Sequence, residues 1–141
     1  MSVADWVDDI AQYLDDQGVG VYNPGAGETV NIFIHHMMDS PVTCLCVYEY
    51  AGRPPRYHLD AGRYDRPGLQ IVARAAGADP LTAYHTAQAL LRAADAALDN
   101  LANVTIGSHT YNEIRALGGV APLGFENGVL KASQNYMTER R

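Results

Sequence analysis

The residues that could do chemistry are few and scattered. His35 and His36 are adjacent, Asp39 follows closely, and His58 and His109 lie further along. Imidazoles with a carboxylate are the donor set of a zinc or related metal site. Neighbours on an extended strand point to opposite faces, however, so His35 and His36 would not converge on one ion. Surface or half-buried histidines are the simpler reading, and no metal is expected. Cys44 and Cys46 sit two apart in a strand-like run. Both would point to one face, a poor geometry for a mutual disulfide. They read as buried thiols of a reducing compartment. A histidine brought near by folding would instead make one of them the nucleophile of a small cysteine enzyme. The chain lacks Gly-x-Gly-x-x-Gly, a phosphate loop, Gly-x-Ser-x-Gly and Cys-x-x-Cys. No catalytic residue and no cofactor is therefore assigned from motifs.

The segment from Arg53 to Arg66 stands out more. Arg53, Arg56, Arg63 and Arg66 are four of the ten basic residues, with Tyr57, His58 and Tyr64 between them. Arginine and tyrosine are enriched at protein interfaces, where they offer contact area and planar hydrogen bonding. The same mixture could touch DNA phosphates, or form a merely solvated loop. Asp60 and Asp65 dilute its charge, and the whole chain carries a formal net charge of -6. Protein contacts are favoured over nucleic acid for that reason. A second charged group lies near the N-terminus, where Asp5, Asp8, Asp9, Asp15 and Asp16 share a helix face with Gln12. Asp15 and Asp16 stand at the helix C-terminus, where the macrodipole disfavours them by roughly a few tenths of a kcal/mol each. Solubility is the plain reading of that pair.

The elements that must position these residues follow from pattern. At 141 residues, 48% hydrophobic and 18% charged, the chain reads as one globular domain over 1–141. A chain of this size buries roughly two-thirds of its unfolded surface, enough for a core without staples. No apolar run reaches the ~20 residues of a membrane span, and the opening Met-Ser-Val-Ala-Asp does not read as a signal peptide. Synthesis in the cytosol is expected.

Val3, Trp6, Val7, Ile10, Tyr13 and Leu14 predict an amphipathic helix that Ser2 starts and Gly18 stops. Strands are expected at 30–34, 42–50 and 69–75, with a long variable loop at about 51–67 between the last two. Asp79 and Pro80 open a second helix, whose stripe is Tyr84, Ala87, Leu91, Ala94, Leu98 and Leu101. Gln88, Arg92, Asp95 and Asp99 face water in this reading. Gly107-Ser108 and Asn127-Gly128 mark tight turns between strands near 104–106, 109–117 and 129–137, and Gly118-Gly119 ends the middle one. A short charged C-terminal tail follows. The pattern predicts an α+β fold, a mixed, mainly antiparallel β-sheet with two main helices packed on one face.

The run from Pro67 to Leu101 resembles the siphophage tail terminators, a family also called minor capsid or tail-completion proteins. Arg66-Pro-Gly-Leu-Gln-Ile-Val-Ala-Arg74 is similar to the family's strand opening on Pro-Gly-Leu-Gln. Asp79-Pro80, Tyr84, Ala87 and the Leu91/Leu98 helix follow at the family's distance. Asn103-Val-Thr-Ile-Gly107, Tyr111, Ile114-Arg-Ala-Leu-Gly118, Pro122-Leu-Gly124 and Asn127-Gly128 continue in the same order. The N-terminal helix fits as well, whereas 51–67 fits only as a variable loop.

The resemblance implies a structural virion protein and no enzyme or cofactor. Its members build a ring, usually hexameric, that caps the head-proximal end of the tail tube, stops tube growth and offers the head its docking surface. The partners implied are further copies of the chain, the tail tube protein and the head–tail connector or stopper. DNA would be passing cargo only, and no membrane is involved. The virion neck is the implied location, after assembly in the host cytoplasm. Within such a ring, Arg53, Arg56, Tyr57, Arg63, Tyr64 and Arg66 are the candidate contact with the neighbouring subunit or connector. Asp5, Asp8 and Asp9 are a candidate acidic lining of the lumen. The rival readings are another connector or stopper subunit or a tube protein, the cysteine/histidine enzyme, and a monomeric binding module.

Overall fold

A computed structural model describes residues 6–57 and 63–141. The elements run α1 (Trp6–Asp16), β1 (Ile32–Ile34), β2 (Cys44–Tyr57), β3 (Arg63–Ala76), α2 (Pro80–Leu98), β4 (Leu101–Ile106), β5 (His109–Glu126) and β6 (Val129–Arg140). The six strands form one sheet in the order β1-β2-β3-β6-β5-β4. Only β1 and β2 are parallel, and the other neighbours are antiparallel. The expected α+β architecture, with a mixed, mainly antiparallel sheet, is what the chain adopts.

Alternation decides which sheet face is covered. Leu45 and Val47, Leu69, Ile71, Ala73 and Ala75, and Leu130, Ala132 and Tyr136 all point to the helices and are buried. Helix α2 packs on β3, β6 and β5. Its buried residues are Ala83, Ala87, Leu91, Ala94 and Leu98, and the alanines let its backbone lie close to the strands. Asp79 caps it, accepting from the Thr82 N–H at 2.9 Å, with Pro80 in the first turn as expected. The helix stops at Leu98 rather than reaching Leu101. Asn100 is left-handed (φ 61), and Leu101 opens β4 instead.

Helix α1 touches β1 and β2 at one edge of the sheet and β4 at the other. A flat sheet could not offer both edges to one helix, so the sheet curls around α1. Trp6, Val7, Ile10, Ala11 and Leu14 are buried there. The residues before Trp6, including Ser2, Val3 and Asp5, lie outside the described ones, as do His58 and Asp60.

Several expected boundaries are corrected. The segment read as a loop at 51–67 is mostly strand: β2 runs on to Tyr57 and β3 begins at Arg63. Strand β5 does not end at Gly118-Gly119 but continues to Glu126, bent by register shifts. The Gln134 amide donates to the Gly118 carbonyl at 3.0 Å and helps carry the strand through that bend. Asn127 (φ 52) and Gly128 (φ 75) then turn the chain, both left-handed as a tight hairpin requires. The charged ending is no tail, because Thr138, Glu139 and Arg140 pair with β5 inside the sheet.

Candidate functional site

Beyond Tyr50 β2 has no described strand on its outer side, and β3 keeps β6 as a neighbour only as far as Asp65, so the ends of β2 and β3 run on as a two-stranded arm. Strand β1 flanks β2 only along Leu45–Val47, and β6 ends beside Asp65. Arg53 pairs with Arg66, Arg56 with Tyr64, and Tyr57 with Arg63, with register shifts on either side of Arg53. Such shifts increase twist, and Pro54-Pro55 withholds two backbone donors, so the arm's outer edge is guarded against another strand. Gly52 is required where the arm begins, because a Cβ there would collide with the Arg66 carbonyl.

Residues directly opposite one another share a face. The register therefore divides the six expected contact residues. Arg53, Arg56, Tyr64 and Arg66 lie on the face away from the helices, whereas Tyr57 and Arg63 lie on the other. Glu139 of β6 shares the first face. It is 4% exposed, and the Arg56 guanidinium donates to its Oε1 at 2.6 Å. Asn112 donates to the same oxygen at 3.2 Å. Arg66 stands 3.8 Å from Oε2, an ion pair too long for a hydrogen bond. Burial alone would raise the Glu139 carboxyl. The hydrogen bonds from Arg56 and Asn112, with the charges of Arg56 and Arg66, outweigh it and hold the carboxyl below its ordinary value. On the opposite face Arg63 pairs with Asp65 at 2.9 Å. Arg53 has no acidic partner among the described residues, and Tyr57 is 71% exposed.

Glu139 is the residue that sequence reasoning missed. Read as part of a tail, it carried no local signal of three partners that are remote in the chain.

The aspartates have more specific work than a solvated face. Asp8 is exposed and accepts from the Tyr22 hydroxyl. Asp9 is half-buried against the β4–β5 turn, 3.7 Å from His109 Nδ1, and accepts from the Ser108 N–H and hydroxyl at 3.3 Å each. Gly107 (φ 59) leaves room for that carboxylate, since a Cβ there would collide with it. Asp5 lies outside the described residues. Asp15, read as a matter of solubility, accepts from the N–H groups of Tyr22 and Asn23 at 2.9 Å and fastens the chain leaving α1. Two further aspartates expected to face water also bond to the sheet, Asp95 from a half-buried position and Asp99 while staying exposed. Asp95 accepts from the buried Tyr136 hydroxyl, and Asp99 from the Ala116 N–H, at 2.9 and 2.8 Å. Both anchor α2 to the sheet.

Cys44 and Cys46 are free and buried. Burial pushes both thiols up, more than the nearby Arg74 charge lowers Cys44. Raised, buried thiols are poor nucleophiles. His35 and His36 follow the end of β1 rather than lying within it, both exposed, with His35 left-handed (φ 61). Among the described residues, no three His, Cys, Asp or Glu side chains group as metal ligands would.

Comparison with known proteins places the chain. No curated protein matches it by sequence. Its fold is similar to a chain of a solved structure titled virion of native gene transfer agent (GTA) particle, at a TM-score of 0.58. The likeness covers 92% of each chain at 12% sequence identity, which speaks for the fold alone. A family model described as bacteriophage tail terminator protein matches residues 13–136, from the middle of α1 almost to the end of β6. That family consists of structural proteins of the virion tail, and a tail component associates with other virion proteins. The chain belongs to the bacteriophage tail terminator family.

Proposed function

We propose that copies of this chain close into a ring, hexameric in number. The ring caps the head-proximal end of the tail tube, ends tube growth and presents the surface on which the filled head docks. Family membership supports the tail role. The projecting β2–β3 arm is the observation that carries the ring. Ring subunits meet through heterologous contacts, one patch on each side, and the rotation must close. An arm reaching beyond its own sheet supplies one such patch. Charge supplies the complement: residues 1–52 hold eight acidic side chains and no lysine or arginine, and the arm begins at once with four arginines. Each copy thus carries a basic projection and an acidic remainder, as head-to-tail docking between copies needs. The neck connector is the other surface the arm could meet.

One ring face matches the end of the tube subunit and the other does not, which stops further addition. The lumen passes DNA as cargo. Exposed Asp8, with Asp5 and Asp9 beside it in sequence, lines that lumen and repels the phosphates so that the genome slides. Reversing these charges should then slow DNA ejection and lower infectivity, and unchanged infectivity would remove the aspartates from the lining.

Native mass measured across a concentration series, with negative-stain images of the same samples, tests the ring. Closed rings on their own, or on added tubes, are the expected result. A chain that stays monomeric both in solution and on tubes contradicts it.

A further inference from the structure

We infer that Glu139 is a positioning residue for assembly: it sets the pose of the β2–β3 arm before a second copy of the chain docks. The inference rests on the reading of the arm as a subunit contact. A carboxylate only 4% exposed, one residue from the end of the last strand, has no role in the apolar core, which lies on the other sheet face. Its bonds reach instead to the arm on one side, through Arg56 and Arg66, and to β5 on the other, through Asn112. The arm's own pairing is interrupted by the shifts around Arg53. Beside the pairing of Asp65 with Arg140 and the bond from the Thr138 hydroxyl to the Pro67 carbonyl, Glu139 is the side-chain tie that reaches the arm's outer half through Arg56. It also neutralises arginines that would otherwise repel one another, because Arg53 and Arg66 are direct cross-strand partners on that face. With Arg66 drawn onto the sheet and the exposed Arg56 engaged by Glu139, Arg53 and the exposed Tyr57 are left to meet the neighbour. A pre-set arm loses less conformational freedom on docking than a loose one.

Glu139→Gln keeps the shape and removes the charge. In the isolated chain, amide hydrogen exchange at Arg53, Arg56, Tyr57 and 63–66 should quicken by about tenfold, the size expected for losing a charge-assisted bond. Exchange over 69–75 should stay as it was. Arg56→Ala cuts the same tie from the solvent side, where no core residue is disturbed, and should quicken the same amides. Tube capping should weaken in both variants. Arg53→Ala should weaken capping while leaving arm exchange unchanged. Arm exchange unmoved in both Glu139→Gln and Arg56→Ala overturns the tie. A loosened arm with normal capping, while Arg53→Ala and Tyr57→Ala still impair it, overturns the positioning role but leaves the arm as a contact. Normal capping in all four variants overturns the arm reading itself.

Discussion

The two halves of β2 and β3 are one pair of strands held together in two different ways. Between Cys44 and Val47, and between Leu69 and Ala75, the strands lie under the helices, and their inward side chains are sealed from water. Beyond Tyr50, and on β3 beyond the last pairing with β6 at Asp65, the same strands run out as an arm rich in arginine, tyrosine and proline. Apolar burial is non-directional and scales with area, so it makes the first half part of the body. Charged hydrogen bonds are directional and weaker in net terms, so the second half holds its pose without contributing much to the fold. Folding and assembly can therefore be damaged separately.

The largest contrast comes from opposing variants. Leu91→Ala removes a buried side chain facing the sheet and should cost about 2–5 kcal/mol of stability, read as a lowered denaturant midpoint. Replacing Arg53, Arg56, Arg63 and Arg66 together by alanine should keep the chain folded, with a smaller loss of midpoint because Glu139 loses its charged partners, and abolish capping. If the four-alanine variant unfolds instead, the arm belongs to the body and the division fails.

Gly107→Ala should come next. The position is left-handed and a Cβ would press on the Asp9 carboxylate, so a loss of roughly 1–3 kcal/mol is expected. Combining it with Asp9→Ala should return part of that loss. If the second change adds its own full cost instead, the close approach is not what makes glycine necessary there.

A smaller effect separates the arm from the body by pH. The folded Glu139 carboxyl lies below its ordinary value of 4.5, so its stabilisation is fully present above that pH. It is lost as the pH falls through the lower folded value. In acid the arm amides should begin to exchange faster, relative to intrinsic rates, while those of 69–75 still hold. Glu139→Gln should erase this difference. The smallest effect is a null one. Native Cys44 and Cys46 should resist thiol reagents that label them promptly after unfolding, and fast native labelling would revive the enzyme alternative.

Most of the body was legible in the sequence because its causes are local and periodic. The stripe through Ala87, Leu91, Ala94 and Leu98, the Asp79-Pro80 start and the Asn127-Gly128 turn each act within a few residues. The arm was not legible as strand. Gly52, Pro54, Pro55 and Pro67 break the alternation, and its pairing is decided by register with a partner segment rather than by pattern. The six candidate contact residues were visible as types, but their division between two faces depends on that register. Long-range ties were invisible for the same reason. Glu139 with Arg56, Asp9 with Ser108, and Asp95 with Tyr136 each join residues far apart in the chain.

The most direct test of the separation between fold and assembly is tail assembly in the presence of the four-alanine arm variant, with tube lengths measured by electron microscopy. The expected result is a chain that stays folded and leaves tubes uncapped and overlong. Tubes of normal length, each ending in a ring of the variant, would contradict it.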